Sequence, residues 1–162
     1  MSDGAVHFFL DGYRFETVWS RPQKAQQYLR HFKTLLTPDF SLYADYPLAS
    51  QLWNVYRSRW CGAYWASCGF SVIPTISWGG SESFAFCFAG IARHSLVALS
   101  TVGVQRSDHH HFARGFREML ARIEPSGILC YGRLPDDLAR LVEVYPYPTR
   151  WDSIQRARQH GR

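Results

Sequence analysis

Asp39 lies at the C-terminal end of a short apolar run, in TLLTPDFSLY, where Pro38-Asp39 breaks a strand and opens a loop. In parallel α/β proteins ligands bind outside the carboxyl ends of the strands, because the loops there vary and helix N-termini aim their N–H groups at that edge. A carboxylate in that place can serve as a general base, and it can equally be a turn residue bonding nearby backbone N–H groups. The same edge is loaded with Ser41 and Tyr43, then Thr75, Ser77 and Trp78, then Thr101, Gln105 and Arg106, and finally Tyr131 and Arg133. Asp45, two residues before Pro47, reads as a cap or turn for the next helix. No second acid is spaced to lie beside Asp39, so paired-acid hydrolysis is not indicated.

The segment LWNVYRSRWCGAYW is the most unusual stretch. At about 3.6 residues per turn, Asn54 and Arg57 share a helix face and Arg59 lies off it. An aromatic helix of this kind is expected to be buried, with Arg57 or Arg59 satisfying Asp39 or Asp45. The alternative is that Asn54, Arg57 and Arg59 line a pocket for an anion or a base-bearing ligand, with aromatic rings available for stacking.

His109-His110-His111 looks like a metal motif and is a poor one. Consecutive helical residues diverge by about 100°, so the three rings cannot converge on one ion, and a solvated helix start is the plain reading. Gly79-Gly80 before Ser81, and Thr101 before Gly103, could form anion-binding turns, although neither matches a P-loop or GxGxxG pattern and no cofactor is assigned. Cys61, Cys68, Cys87 and Cys130 stand among apolar neighbours without a CxxC pair, as buried thiols of a reducing compartment do.

Apolar periodicity gives the elements that must position these groups. A strand or extended arm is expected over Val6–Leu10, closed by Asp11-Gly12, and a helix over Pro22–Phe32. TLL is a short buried strand. Leu48, Leu52, Tyr56, Trp60, Ala63 and Tyr64 define one amphipathic helix from Leu48 to about Ser67, ended by Gly69. FSVIPTISW is a strand, and Ser81 or Ser83 caps a second helix carrying Phe84, Cys87, Phe88 and Ile91. SLVALSTVG is another strand. Asp108 caps a third helix with Phe112, Phe116, Met119, Leu120 and Ile123 on one face and Arg114, Glu118 and Arg122 on the other. ILCYG, a turn over Pro135–Arg140 and LVEVYPY complete the pattern.

The strands are apolar throughout rather than alternating, as parallel strands covered on both faces are. The expected architecture is a single α/β domain over residues 1–149. Its sheet is mostly parallel, has about five strands and forms an open sheet or partial barrel. A basic tail over 150–162 follows, in which Arg150, Arg156 and Arg158 are candidate phosphate contacts.

With 162 residues, 46% hydrophobic and 16% aromatic, the chain is long enough for one core and too apolar for disorder. No window approaches the roughly 18 uncharged apolar residues of a membrane span, and no basic leader precedes the first apolar run, so a cytoplasmic protein without a membrane partner is expected. Lysine and arginine number 18 against 13 acids, and only Lys24 and Lys33 are lysines. Arginine suits a bidentate grip on phosphate, and high-GC codon usage also favours it.

The segments PDFSLYADYPLASQLWNVYRSRWCGAYW, GFSVIPTISW, ESFAFCFAGI, SLVALSTVG and GFREMLARIEPSGILCYG resemble a family of phage, plasmid and bacterial proteins known as domain of unknown function 4417. The likeness runs from about Phe9 to Gly132. Asp39, Ser41, Tyr43, Asp45, Asn54, Arg59, Thr75, Trp78 and Thr101 fall among its motif positions. The resemblance implies association with mobile elements and carries no activity. CFAGI has Ala89 where the family pattern implies an acid before the glycine, so a carboxylate role at that position is absent here.

Three functions follow as expectations. The first is binding of nucleic acid or a nucleotide-like anion by Tyr43, Asn54, Arg57, Arg59, Thr75, Trp78 and Thr101. The second is a small enzyme acting on a phosphorylated or nucleotide substrate, with Asp39 as acid or base. The third is a phage or plasmid factor that binds a host protein through exposed Trp and Tyr. A polar pocket at the strand ends, a basic stripe and an exposed aromatic patch distinguish them.

Overall fold

The protein is described by a computed structural model over residues 2–154. Six parallel strands, β1 (Ser2–Val6), β2 (Phe32–Leu36), β3 (Ser71–Ile73), β4 (Leu96–Ser100), β5 (Gly127–Tyr131) and β6 (Val144–Tyr147), alternate with helices. The helices are α1 (Thr17–Ser20), α2 (Pro22–Leu29), α3 (Leu48–Ser67), α4 (His109–Ile123) and α5 (Asp136–Ala139), with a further helical stretch over 150–154. The first strand ends at Val6, where the sequence suggested that it began, and α2 stops at Leu29 because β2 already starts at Phe32.

The expected five-stranded sheet is replaced by two three-stranded parallel sheets, β1-β2-β3 and β4-β5-β6. Pro74 is the physical reason. It has no N–H to continue the ladder, so β3 ends after three residues. The chain beyond it turns to the other sheet and makes one bridge, Thr75 to Ala98. There Ala98 donates to the Pro74 carbonyl at 2.9 Å, and Ile76 donates to the Ala98 carbonyl at 2.7 Å.

The bridged strands are strongly curled. In a flat sheet β1 and β5 would be four strand spacings apart, about 19 Å. Yet the rings of His7, just past β1, and Tyr131, the last residue of β5, have centroids 4.7 Å apart. The result is a partial barrel that remains open, since no ladder joins β6 to β1 among the described residues.

Helices cover the convex side in two cores. Leu35 of β2 packs with Phe8, Phe15, Val18, Leu29, Cys61 and Trp65. Val97 and Leu99 of β4 and Ile128 and Cys130 of β5 pack with Phe112, Phe116, Met119 and Ile123 of α4. The α4 stripe is the one read from the sequence. Its start differs, because Asp108 makes no side-chain cap to α4. Asp108 instead forms a reciprocal capping box with Gln105 around a 3-10 turn over Arg106–Asp108.

The long helix α3 has the expected limits and the opposite face inside. Gln51, Val55, Ser58, Cys61, Gly62 and Trp65 are buried, whereas Leu48, Leu52 and Tyr56 of the expected apolar stripe are about half exposed. Close approach decides this. A Cβ on Gly62 would lie 2.8 Å from the Thr37 methyl, so small residues let α3 settle onto β2 where aromatic ones could not.

The expected second helix is a 3-10 turn over Ser81–Ala85. Ser83 Oγ donates to the Gly80 carbonyl and accepts from the Gly79 N–H, tightening the turn. The Cys87 and Ala89 carbonyls, which a helix would bond internally, are taken by Arg59.

Gly115 on α4 is needed for close approach. A Cβ there would fall 2.2 Å from Trp78 Nε1 and within 2.5 Å of two further atoms of that ring. Gly115→Ala is expected to lower stability by roughly 1–3 kcal/mol through overpacking. Gly12→Ala, with nothing within 4 Å of the added atom, should be close to neutral. Parallel urea melts that fail to separate the two variants would contradict this packing.

Candidate functional site

Asp39, Asn54, Arg59, Thr75 and Ser77 gather where β2 and β3 end. Asp39 is half-buried and has no ion pair among the described residues. Burial pushes its carboxyl up to about 6, and a hydrogen bond from Ser77 partly offsets that rise. Arg59 does not pair with it. Its guanidinium donates to the carbonyls of Cys87 (2.8 Å), Ala89 (3.0 Å) and Thr75 (3.3 Å), and burial lowers its pKa to about 10.

Arg57 departs from expectation in the same way: it meets Glu16 at 3.1 Å and lies 3.9 Å over the Phe40 ring. Asn54 joins them, accepting from Arg57 at 2.6 Å and donating to the Ser41 carbonyl at 2.8 Å. Both arginines therefore pin loops onto α3, and neither supplies a counter-ion for Asp39 or Asp45. Inside the cluster lies a cavity of about 10 Å³ lined by Asn54, Ser58, Arg59, Thr75 and Ser77. Thr75 is 4% exposed and its Oγ1 has no hydrogen-bond partner among the described residues. The space suits one water molecule.

Thr101 lies apart from this cluster in an open cleft of about 380 Å³ at the ends of β4 and β5, with Gln105, Arg106, His109 and Arg133. Arg133 pairs with Asp136 at 3.2 Å, and His109 lies 3.5 Å from Asp137. Arg106 has no ion pair among the described residues. Trp78 packs on Phe112 (5.2 Å) and Phe88 (6.2 Å) within the core. Tyr43 is exposed and meets Tyr46 edge-on. Arg150 is exposed, and its backbone N–H donates to Tyr131 Oη at 3.0 Å. Arg156 and Arg158 lie outside the described residues.

Among the described residues no group of three His, Cys, Asp or Glu side chains could hold a metal ion. His110 and His111 have ring centroids 6.0 Å apart at 86°. Burial pushes the Cys61 thiol up to about 12 and the Cys87 and Cys130 thiols up to about 11, which keeps them protonated and poor nucleophiles. Cys68, expected to be buried, is exposed at the end of α3.

The most conspicuous surface is one that the sequence reading placed inside. Leu48, Leu52, Trp53 and Tyr56 form an exposed strip on α3, prolonged by the Trp60–Tyr64 stack at 5.3 Å. Trp19 of α1 stands edge-on to Trp53, Tyr56 and Trp60 at 5.4, 5.9 and 5.1 Å. An open groove of about 610 Å³ runs beside the strip, lined by Tyr46, Pro47, Ala49, Ser50, Trp53, Asn54 and Arg57. The signal that could have found it is the competing stripe Gln51, Val55, Ser58, Gly62 and Trp65, whose small members mark the packed face.

A family model described as a domain of unknown function (DUF4417) matches residues 1–148. The chain belongs to that family. It is 52% identical over 153 residues to the "Gene 1 protein" of Mycobacterium phage L5, covering 92% of this chain and 66% of that relative. It is 51% identical over 156 residues to the "Gene 1 protein" of Mycobacterium phage D29, covering 94% and 57%. The chain therefore spans between 57% and 66% of the length of these relatives. No solved structure matches it. No helix among the described residues is long and apolar enough to cross a membrane.

The raised pKa of Asp39 makes stability depend on pH. Between the ordinary value of 3.8 and the folded value of about 6, the folded chain holds a proton that the unfolded chain releases. Stability therefore falls as pH rises through this window, by roughly 3 kcal/mol in all, and the loss is complete above pH 6. Asp39→Asn should remove that slope, so the variant gains on the parent from pH 4 to 6.5 in urea melts. A difference that stays constant with pH would contradict the assignment.

Proposed function

We propose that the protein is a binding factor that docks another protein on the aromatic face of α3. The observation that carries this reading is the outward orientation of the helix's large apolar stripe, with Leu48, Leu52, Trp53 and Tyr56 between 45% and 51% exposed. Contiguous exposed apolar area of this kind is characteristic of interaction sites, and Trp and Tyr are the favoured anchors. The edge-on support of Trp19 fixes the rings before binding, so little side-chain freedom remains to be lost on association. Among the described residues Arg57 is the one charged residue lining the neighbouring groove, and Glu16 pairs with it. The groove therefore favours an uncharged aliphatic or aromatic anchor from the partner. The phage origin of the relatives makes a host protein the natural partner class.

The Thr101 cleft supports a second reading, capture of a small phosphate-bearing anion such as a nucleotide. Arg106, Arg133, His109 and the first turn of the helical segment before α4 line one open space there. Nucleic acid offers the same phosphate chemistry. The cavity of about 10 Å³ at the ends of β2 and β3 has no room for a substrate, which weighs against turnover by Asp39.

The test is retention of a defined partner from host extract, followed by affinity measurement on that purified partner. Leu52→Arg with Tyr56→Arg changes exposed positions and should leave the melting temperature unaltered while weakening binding at least tenfold. Arg106→Ala with Arg133→Ala should leave that affinity unchanged. Equal binding by parent and α3 variant, or absence of any stoichiometric partner for the parent, would overturn the docking reading.

A further inference from the structure

We infer that the concave face of the curled sheet is a binding cavity for a neutral, planar aromatic ligand that carries a hydrogen-bond acceptor. This inference is independent of the α3 face and of the Thr101 cleft. The cavity has a volume of about 490 Å³ and takes side chains from all six strands and the residues just after them. That size is typical of small-molecule sites. It exists because the strands curl: Leu36, Ile73, Leu96 and Leu129 turn inward, opposite to the core residues beside them.

Three observations define the ligand. First, no Asp, Glu, Lys or Arg lines the cavity among the described residues, so a charged ligand would be desolvated there without a counter-ion. Second, the carboxyl-end wall is a set of flat rings. Phe9 stacks on Tyr131 at 5.3 Å and 12°, and His7 lies against both at 5.5 and 4.7 Å. Offset stacking on such a wall favours a planar aromatic guest. Third, His7 gives the wall an oriented donor. The Phe9 N–H donates to His7 Nδ1 at 3.3 Å, which places the hydrogen of the neutral ring on Nε2. Partial burial also lowers the His7 pKa below its ordinary value, which favours the neutral ring near pH 7. Nε2–H thus offers a hydrogen bond to an acceptor on the guest.

The experiment uses quinoline as probe, a neutral planar ring with one acceptor nitrogen, with naphthalene and 1-naphthoate as controls of similar size. Titration of the protein followed by NMR should give saturable shifts centred on His7, Phe9, Leu129 and Tyr131, with 1-naphthoate at least tenfold weaker. His7→Phe keeps a ring in the stack and removes the donor. It should weaken quinoline roughly fivefold, the worth of one neutral hydrogen bond, and leave naphthalene within twofold. Ala5→Trp, at an exposed lining position, should fill the space and abolish binding. Shift mapping on the unaltered protein stands even if that variant misfolds. The inference fails if quinoline gives no saturable shifts at these residues, if 1-naphthoate binds equally well, or if His7→Phe weakens quinoline and naphthalene alike. It also fails if a second copy of the chain covers this face in solution. The Leu52→Arg, Tyr56→Arg variant should bind quinoline as the parent does.

Discussion

The passage of the chain from one sheet to the other at Pro74–Ile76 is the constraint on which the rest of the structure depends. A backbone that leaves one ladder and joins another must find partners for its own polar groups, because buried N–H and C=O groups left alone are costly. Here Thr37 Oγ1 accepts the Thr75 N–H at 2.8 Å and Ser58 Oγ at 3.2 Å, while Arg59 donates to the Thr75 carbonyl. Side chains from β2's end and from α3 thus do what a neighbouring strand would have done. Arg59, half-buried, binds three carbonyls and no acid among the described residues, tying the Thr75 carbonyl of the junction to those of Cys87 and Ala89.

The curl that this junction permits gives the molecule two unlike surfaces. On the convex side, Ser58 and Gly62 bring the middle of α3 down onto β2, and of the large rings of the helix only Trp65 turns fully into the core among the described residues, leaving Trp53 and Tyr56 on the outer face. They face outward and are held by Trp19. On the concave side no helix intervenes among the described residues, and the inward-facing strand residues enclose a cavity. The aromatic surplus of the chain is accordingly divided among two cores, an outer strip and an inner wall.

Much of the architecture was legible in the sequence. The uninterrupted apolar runs gave parallel strands, the α4 stripe gave its buried face, and the limits of α3 followed from Pro47 and Gly69. The strand count and the sheet division were not legible, because SDGAV has little β character and Pro74 acts through a hydrogen bond that only the neighbouring strand reveals. The orientation of α3 is not legible from the size of its apolar residues, because close fit decides it: the stripe containing Ser58 and Gly62 packs closer than the one containing Trp60 and Tyr64. Of the candidate residues, Asp39, Asn54, Arg59 and Thr75 do come together, since each follows or faces the ends of β2 and β3. Thr101 falls in a separate cleft, and the tertiary partners of the arginines could not be read from spacing along one helix.

The curl carries both the inner cavity and the outward strip, and it has a direct observable. In protein with selectively labelled His and Tyr, nuclear Overhauser contacts between the rings of His7 and Tyr131 report the approach of β1's end to β5's end. The account predicts cross-peaks for this pair, at a centroid separation of 4.7 Å. Their absence, with the two rings separated as in a flat sheet by roughly 19 Å, would contradict it.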